Sequence, residues 1–111
     1  MVKKGADSEI VQIIYNLAGR PSQVKTTSSA LFGMLAYGIT LKGVCEVIQE
    51  WIDAGKPIQE GVTREVEPHA GKVHYIMKPK INEQQFYLKV GIEKDQQTGE
   101  HLMIISFHVP R

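Results

Sequence analysis

The sequence predicts an α+β fold in a single domain over residues 1–111, with helices in the N-terminal half packed on one face of a mainly antiparallel sheet. Three observations predict it. Apolar residues recur at helical spacing as far as Ile52 and at period two after Pro57. Helical segments precede the strand segments instead of alternating with them, which favours α+β over a βαβ sheet. The chain has 111 residues, 42% of them hydrophobic, enough for one core without disulfides or a structural metal.

The first helix starts at Asp7 or Ser8, either of which can cap it, and carries Ile10, Ile13, Ile14 and Leu17 on one stripe. Gly19 and Pro21 stop it. Val24 to Thr26 can add a short edge strand. Thr27 or Ser28 caps a second helix holding Leu31, Met34 and Leu35, closed by Gly38. Thr40 caps a third, with Leu41, Val44, Cys45, Ile48, Trp51 and Ile52 on its apolar face and Gly55 and Pro57 at its end. Four strands follow: Val62 to about Glu67, Val73 to Lys78, Gln85 to Ile92, and Leu102 to Val109. Asp95 to Gly99 reads as the last hairpin turn. Helices on one face leave the other face of the sheet free for function.

Composition narrows the function classes. The single cysteine, Cys45, excludes an internal disulfide and a cysteine zinc site, and its place on a helix stripe makes it a core thiol. One thiol and no apolar run long enough for a signal peptide or a membrane span lead us to expect a cytoplasmic protein with no membrane association. Formal net charge is +1, so partners must be sought in local patches. From Lys72 to Gly91 there are four basic residues, Lys72, Lys78, Lys80 and Lys89, against one acid, Glu83. No phosphate-binding glycine loop, dinucleotide fingerprint or nucleophile elbow is present.

Side chains alternate across a strand, so each strand sorts by parity. Val73, Tyr75 and Met77 form one core set; Phe86, Leu88, Val90 and Ile92 form another. In the last strand the core set is Met103, Ile105, Phe107 and Val109, although Leu102 and Ile104 leave its start ambiguous. If no bulge intervenes, His74, Lys78, Tyr87, Lys89, Ser106 and His108 share the open face. Two imidazoles, a phenol and two ammonium groups can perform acid–base work on a phosphodiester. Imidazole titrates near neutrality and serves as base for a ribose 2′-hydroxyl or acid for a leaving oxygen. Lysines hold the phosphate, and Tyr87 stacks on a base or orients the phosphate. His69 and His101 fall at loop positions and are expected to be exposed and idle. The histidine spacing does not suggest zinc, and neither a metal nor another cofactor is expected.

Several segments carry a family resemblance. Val24-Lys25-Thr26-Thr27-Ser28-Ser29-Ala30-Leu31 resembles the V-(R/K)-T-T-x-S-A-L segment of the motility quorum-sensing regulator toxins. Gly38 and Gly43-Val44-Cys45-Glu46-Val47-Ile48 are similar to that family's third helix, and Lys78-Pro79-Lys80 to its basic-Pro-basic turn. Tyr87-Leu88-Lys89-Val90 and Ser106-Phe107-His108 resemble its last two strands. The resemblance covers roughly residues 22–109. It implies a RelE-like fold and a type II toxin that cuts mRNA without a metal until a cognate antitoxin binds. It further implies a free monomer that forms a hetero-oligomer with the antitoxin. Tyr87 stands at a functional tyrosine of the family. His74 stands where the family has a functional glutamine, and His108 where it has a functional lysine. A further functional lysine falls near Glu60, where this chain has no basic residue. The order of helices before a sheet ending in histidine is also similar to BrnT-like toxins.

The expected activity is therefore RNA cleavage by 2′-hydroxyl attack, giving a 2′,3′-cyclic phosphate and a 5′-hydroxyl. His74 and His108 are the expected acid–base pair and Tyr87 the orienting group. Lys78, Lys80, Lys89 and Ser106 are the expected substrate contacts. The competing expectation is a catalytically inactive relative that binds RNA or protein. An antitoxin-like or immunity role ranks below both.

Overall fold

The computed structural model describes residues 4–62, 73–97 and 99–110. The chain runs β1 (Lys4–Gly5), α1 (Ser8–Ala18), a 3-10 turn (Pro21–Gln23), β2 (Val24–Thr26), α2 (Ser28–Ala36), α3 (Leu41–Asp53) and β3 (Gln59–Val62). It continues through β4 (Val73–Met77), β5 (Lys80–Ile81), β6 (Gln84–Gln85), β7 (Tyr87–Asp95) and β8 (Gly99–His108). Six strands form one sheet in the order β1-β3-β4-β7-β8-β2, antiparallel throughout except for the parallel β2–β8 pair. The α+β class is as the periodicity predicts. Two features exceed it: the edge strand β1 and the separate β5–β6 hairpin, both built of two-residue strands too short to show a period.

The helices begin where the hydroxyls predict. Thr27 Oγ1 accepts the Ala30 N–H at 3.1 Å, and Thr40 Oγ1 accepts the Gly43 N–H at 3.0 Å. These satisfy amides that the first helical turn leaves without a partner. Asp7 occupies the N-cap position of α1 without a side-chain bond. Gly38, at φ +65°, turns the chain between α2 and α3, which lie 92° apart. Ile14, Met34, Val44 and Ile48 from the helices meet Leu88, Val90, Leu102, Ile104 and Phe107 from the sheet. Phe86 stacks on Phe107 with ring centres 4.6 Å apart. Among the described residues no single helix is long and apolar enough to cross a membrane.

Four expectations need correction. First, β8 does not keep one parity. Ser106 pairs with Lys89 but Ile104 pairs with Val90, so the ladder skips Ile105. The buried set is Leu102, Ile104 and Phe107, not Met103, Ile105 and Phe107. One extra residue in a strand exchanges its two faces beyond that point.

Second, His101 is a β8 residue and 5% exposed. Its Nε2 lies 3.8 Å from Glu93 Oε1, and its buried Nδ1 has no hydrogen-bond partner. A loop assignment missed it because β8 begins at Gly99, three residues earlier than the apolar run. His69, the residues beyond Val62 in the first predicted strand, and Lys72 lie outside the described residues.

Third, α2 buries only Ala30 and Met34, while Leu31, Phe32 and Leu35 are exposed. The helix lies so close to β8 that a Cβ on Gly33 would run into the Phe107 carbonyl. Fourth, Trp51 is only partly buried. Its indole N–H donates to the Pro57 carbonyl at 3.0 Å, and the Lys56 ammonium sits 5.1 Å from the ring centre. It turns out of the core because α3 ends two residues later.

Candidate functional site

Strand register arranges the open face in rows. Met77 pairs with Leu88, so Lys78 comes level with Tyr87, which itself pairs with His108. The next row holds Ile76, Lys89 and Ser106. The third brings His74 level with Gly91, one step beyond the Tyr75–Val90 pair. Three predicted residues, Lys78, Tyr87 and His108, thus fall in one row, with Lys89 and Ser106 directly behind.

The first row opens into a groove of about 690 Å³. Tyr87, Ser106 and His108 line it from the sheet, Lys78 and Gln85 from the strand ends, and Ser29 from the first turn of α2. The Tyr87 and His108 rings stack nearly parallel, 14° apart in plane with centres at 5.0 Å. His108 Nδ1 lies 2.9 Å from the Val109 carbonyl. A carbonyl only accepts, so Nδ1 carries the proton, and Nε2 of the neutral ring is the acceptor. The groove therefore presents a base in a fixed tautomer on an aromatic support.

Lys89 is 8% exposed, its stem covered by neighbours on the sheet. Its place directly behind the Tyr87–His108 row puts its side chain on the groove's side of the sheet. Lys78 is exposed at the groove wall. Lys80 is also exposed, but it stands on the β5–β6 hairpin opposite Gln85 and does not line the groove.

His74 shares the face but not the groove. Its ring lies over β3, where a Cβ on Gly61 would come within 3.0 Å of Nε2. Strand spacing puts it four residues along and two strands across from His108, roughly 16 Å away. An acid and a base acting on one phosphodiester must each come within about 3 Å of the proton moved. The two histidines are thus not brought together. The parity argument found the face but carried no information on position along the strands.

Of the residues that sequence reasoning missed, Gln85 has the parity of Tyr87 and Lys89, which is the signal that points to it. Ser29 comes from a helix, which strand parity cannot address. Among the described residues no group of three or more His, Cys, Asp or Glu side chains is placed to hold a metal ion. Elsewhere, burial pushes the Tyr75 hydroxyl up, with the Glu60 and Asp7 carboxylates adding to it. Tyr75 belongs to the helix-covered face and takes no part in the groove. No protein-family model, curated protein or solved structure matches the chain.

Proposed function

We propose that this chain is a metal-independent endoribonuclease of the type II toxin class, with a RelE-like fold, held in check by an antitoxin protein. The observation that carries the reading is the stacked Tyr87–His108 pair, with Lys78 at the groove wall and Lys89 in the row behind it. The 2′-oxygen of the substrate forms a bond to phosphorus as the bond to the 5′-oxygen breaks. His108 Nε2 takes the 2′ proton. The Lys78 ammonium or the Tyr87 hydroxyl gives a proton to the 5′-oxygen. Lys89 and Ser106 offset charge on the phosphate oxygens. His74 supports β3 packing and has no part in the chemistry.

The test is incubation of the purified chain with end-labelled single-stranded RNA in a chelator. Products ending in 2′,3′-cyclic phosphate, abolished by His108→Ala, are expected. RNA that is bound but never cut would overturn the catalytic reading. It would leave the second reading, an RNA-binding module. That reading is favoured because, among the described residues, the groove holds a single imidazole.

A further inference from the structure

A second concavity of about 190 Å³ lies beside the groove, lined by Trp51, Lys56, Pro57, Gln59, Ile76 and Lys78. Lys78 belongs to both. The slot's polar lining is small; its floor is Ile76, 4% exposed, and one wall is the Trp51 indole. Drug-sized ligands occupy about 300–1,000 Å³, so this slot suits one planar ring system. The Trp51 ring is fixed, because its N–H is committed to the Pro57 carbonyl. Two ammonium groups border the slot, that of Lys56, which sits over the Trp51 ring, and that of Lys78, and among the described residues no carboxylate lines it. An apolar, aromatic-walled slot with cations at its edges matches a base attached to a phosphate.

We propose that this slot holds one nucleobase of a single-stranded RNA whose adjacent phosphate is gripped by Lys78 at the mouth of the groove. The proposal rests on the ribonuclease reading and extends it. Substrate is recognised as two consecutive nucleotides, one base in the slot and the next nucleotide on the Tyr87–His108 platform. Lys78 is the hinge between them. Trp51 and Ile76 touch the base and no reacting atom, so they set affinity and sequence preference.

Trp51 is the only tryptophan in the chain, so its emission reports on the slot alone. The probe is a 2′-O-methyl trinucleotide, which binds and cannot be cut. Saturable quenching of Trp51 emission is expected, with its midpoint matching binding followed by a fluorophore on the oligonucleotide. An abasic residue at one position of the trinucleotide should remove the quenching and weaken binding about tenfold. Gln59→Phe, which fills the slot with a ring, should weaken binding similarly. Oligonucleotide binding with unchanged Trp51 emission, together with wild-type affinity in Gln59→Phe, would overturn the slot and leave the ribonuclease reading standing. Absence of oligonucleotide binding by either signal would overturn both.

Discussion

The two halves of β8 treat their histidines in opposite ways. Before Ile105, His101 is buried against Glu93 with one ring nitrogen unpartnered. After it, His108 stacks on Tyr87 in an open groove, with its tautomer set by a backbone carbonyl. The residue type is the same and the strand is the same. Place along the ladder decides which imidazole can meet a substrate, and a histidine count says nothing about it.

The comparison breaks most sharply at the groove end. His108→Ala should lower RNA cleavage by about 10²–10⁴-fold, the usual worth of general acid–base catalysis, with an unchanged melting temperature. His74→Ala measured beside it should keep cleavage within about threefold. Equal losses from both variants would return His74 to the reaction and discredit the row geometry.

One residue earlier in the chain the effect should move from rate to stability. Phe107→Ala removes a side chain 1% exposed and stacked on Phe86. It should cost about 3–5 kcal/mol in urea unfolding. A cost below about 1 kcal/mol would mean that the parity of Leu102 and Ile104 continues past Ile105 and leaves Phe107 exposed.

The core also carries a pH signature of stability. Burial pushes the Cys45 thiol up, and the neighbouring Glu46 carboxylate adds to it. The folded chain therefore holds the thiol proton where the unfolded chain loses it. This contribution is intact below the unfolded thiol value of about 8.5 and declines as pH rises above it. Unfolding free energy measured from pH 7 to pH 10 should fall less steeply in Cys45→Val than in the parent. Parallel slopes would sink the assignment.

The smallest effect belongs to the buried histidine. His101→Leu removes a nitrogen that lacks a partner, and apolar replacement of such a group is near neutral or stabilising. Stability should change by less than about 1 kcal/mol, and cleavage should be unaltered. A large loss of either would show His101 to be working.

Much of this was legible in the residues. Thr27 and Thr40 announce their helices because a hydroxyl one residue before an apolar stripe has few other uses. Tyr87, Lys89 and Lys78 follow from parity because β4 and β7 pair without interruption from Tyr75 to Met77, and Lys78 and Tyr87 are the next residue on each strand. What failed, failed for physical reasons. The register shift at Ile105 leaves no composition signal, since isoleucine suits either face. The separation of His74 from His108 depends on how far one strand slides against the next, which alternation alone does not encode. Ser29 and the Trp51 slot depend on where helix ends meet the sheet.

Ile105 has a consequence for how this surface can change over time. Leu102 and Ile104 are even-numbered and buried, and so strict alternation through Ile105 would bury Ser106 and His108 with them. The insertion acts on the strand as a frameshift acts on a message: everything downstream is read on the other side. Drawing Ile105 into the ladder would silence the groove by turning its imidazole inward, with no change to any residue that touches RNA, whereas deleting Ile105 would restore plain alternation and leave His108 facing out.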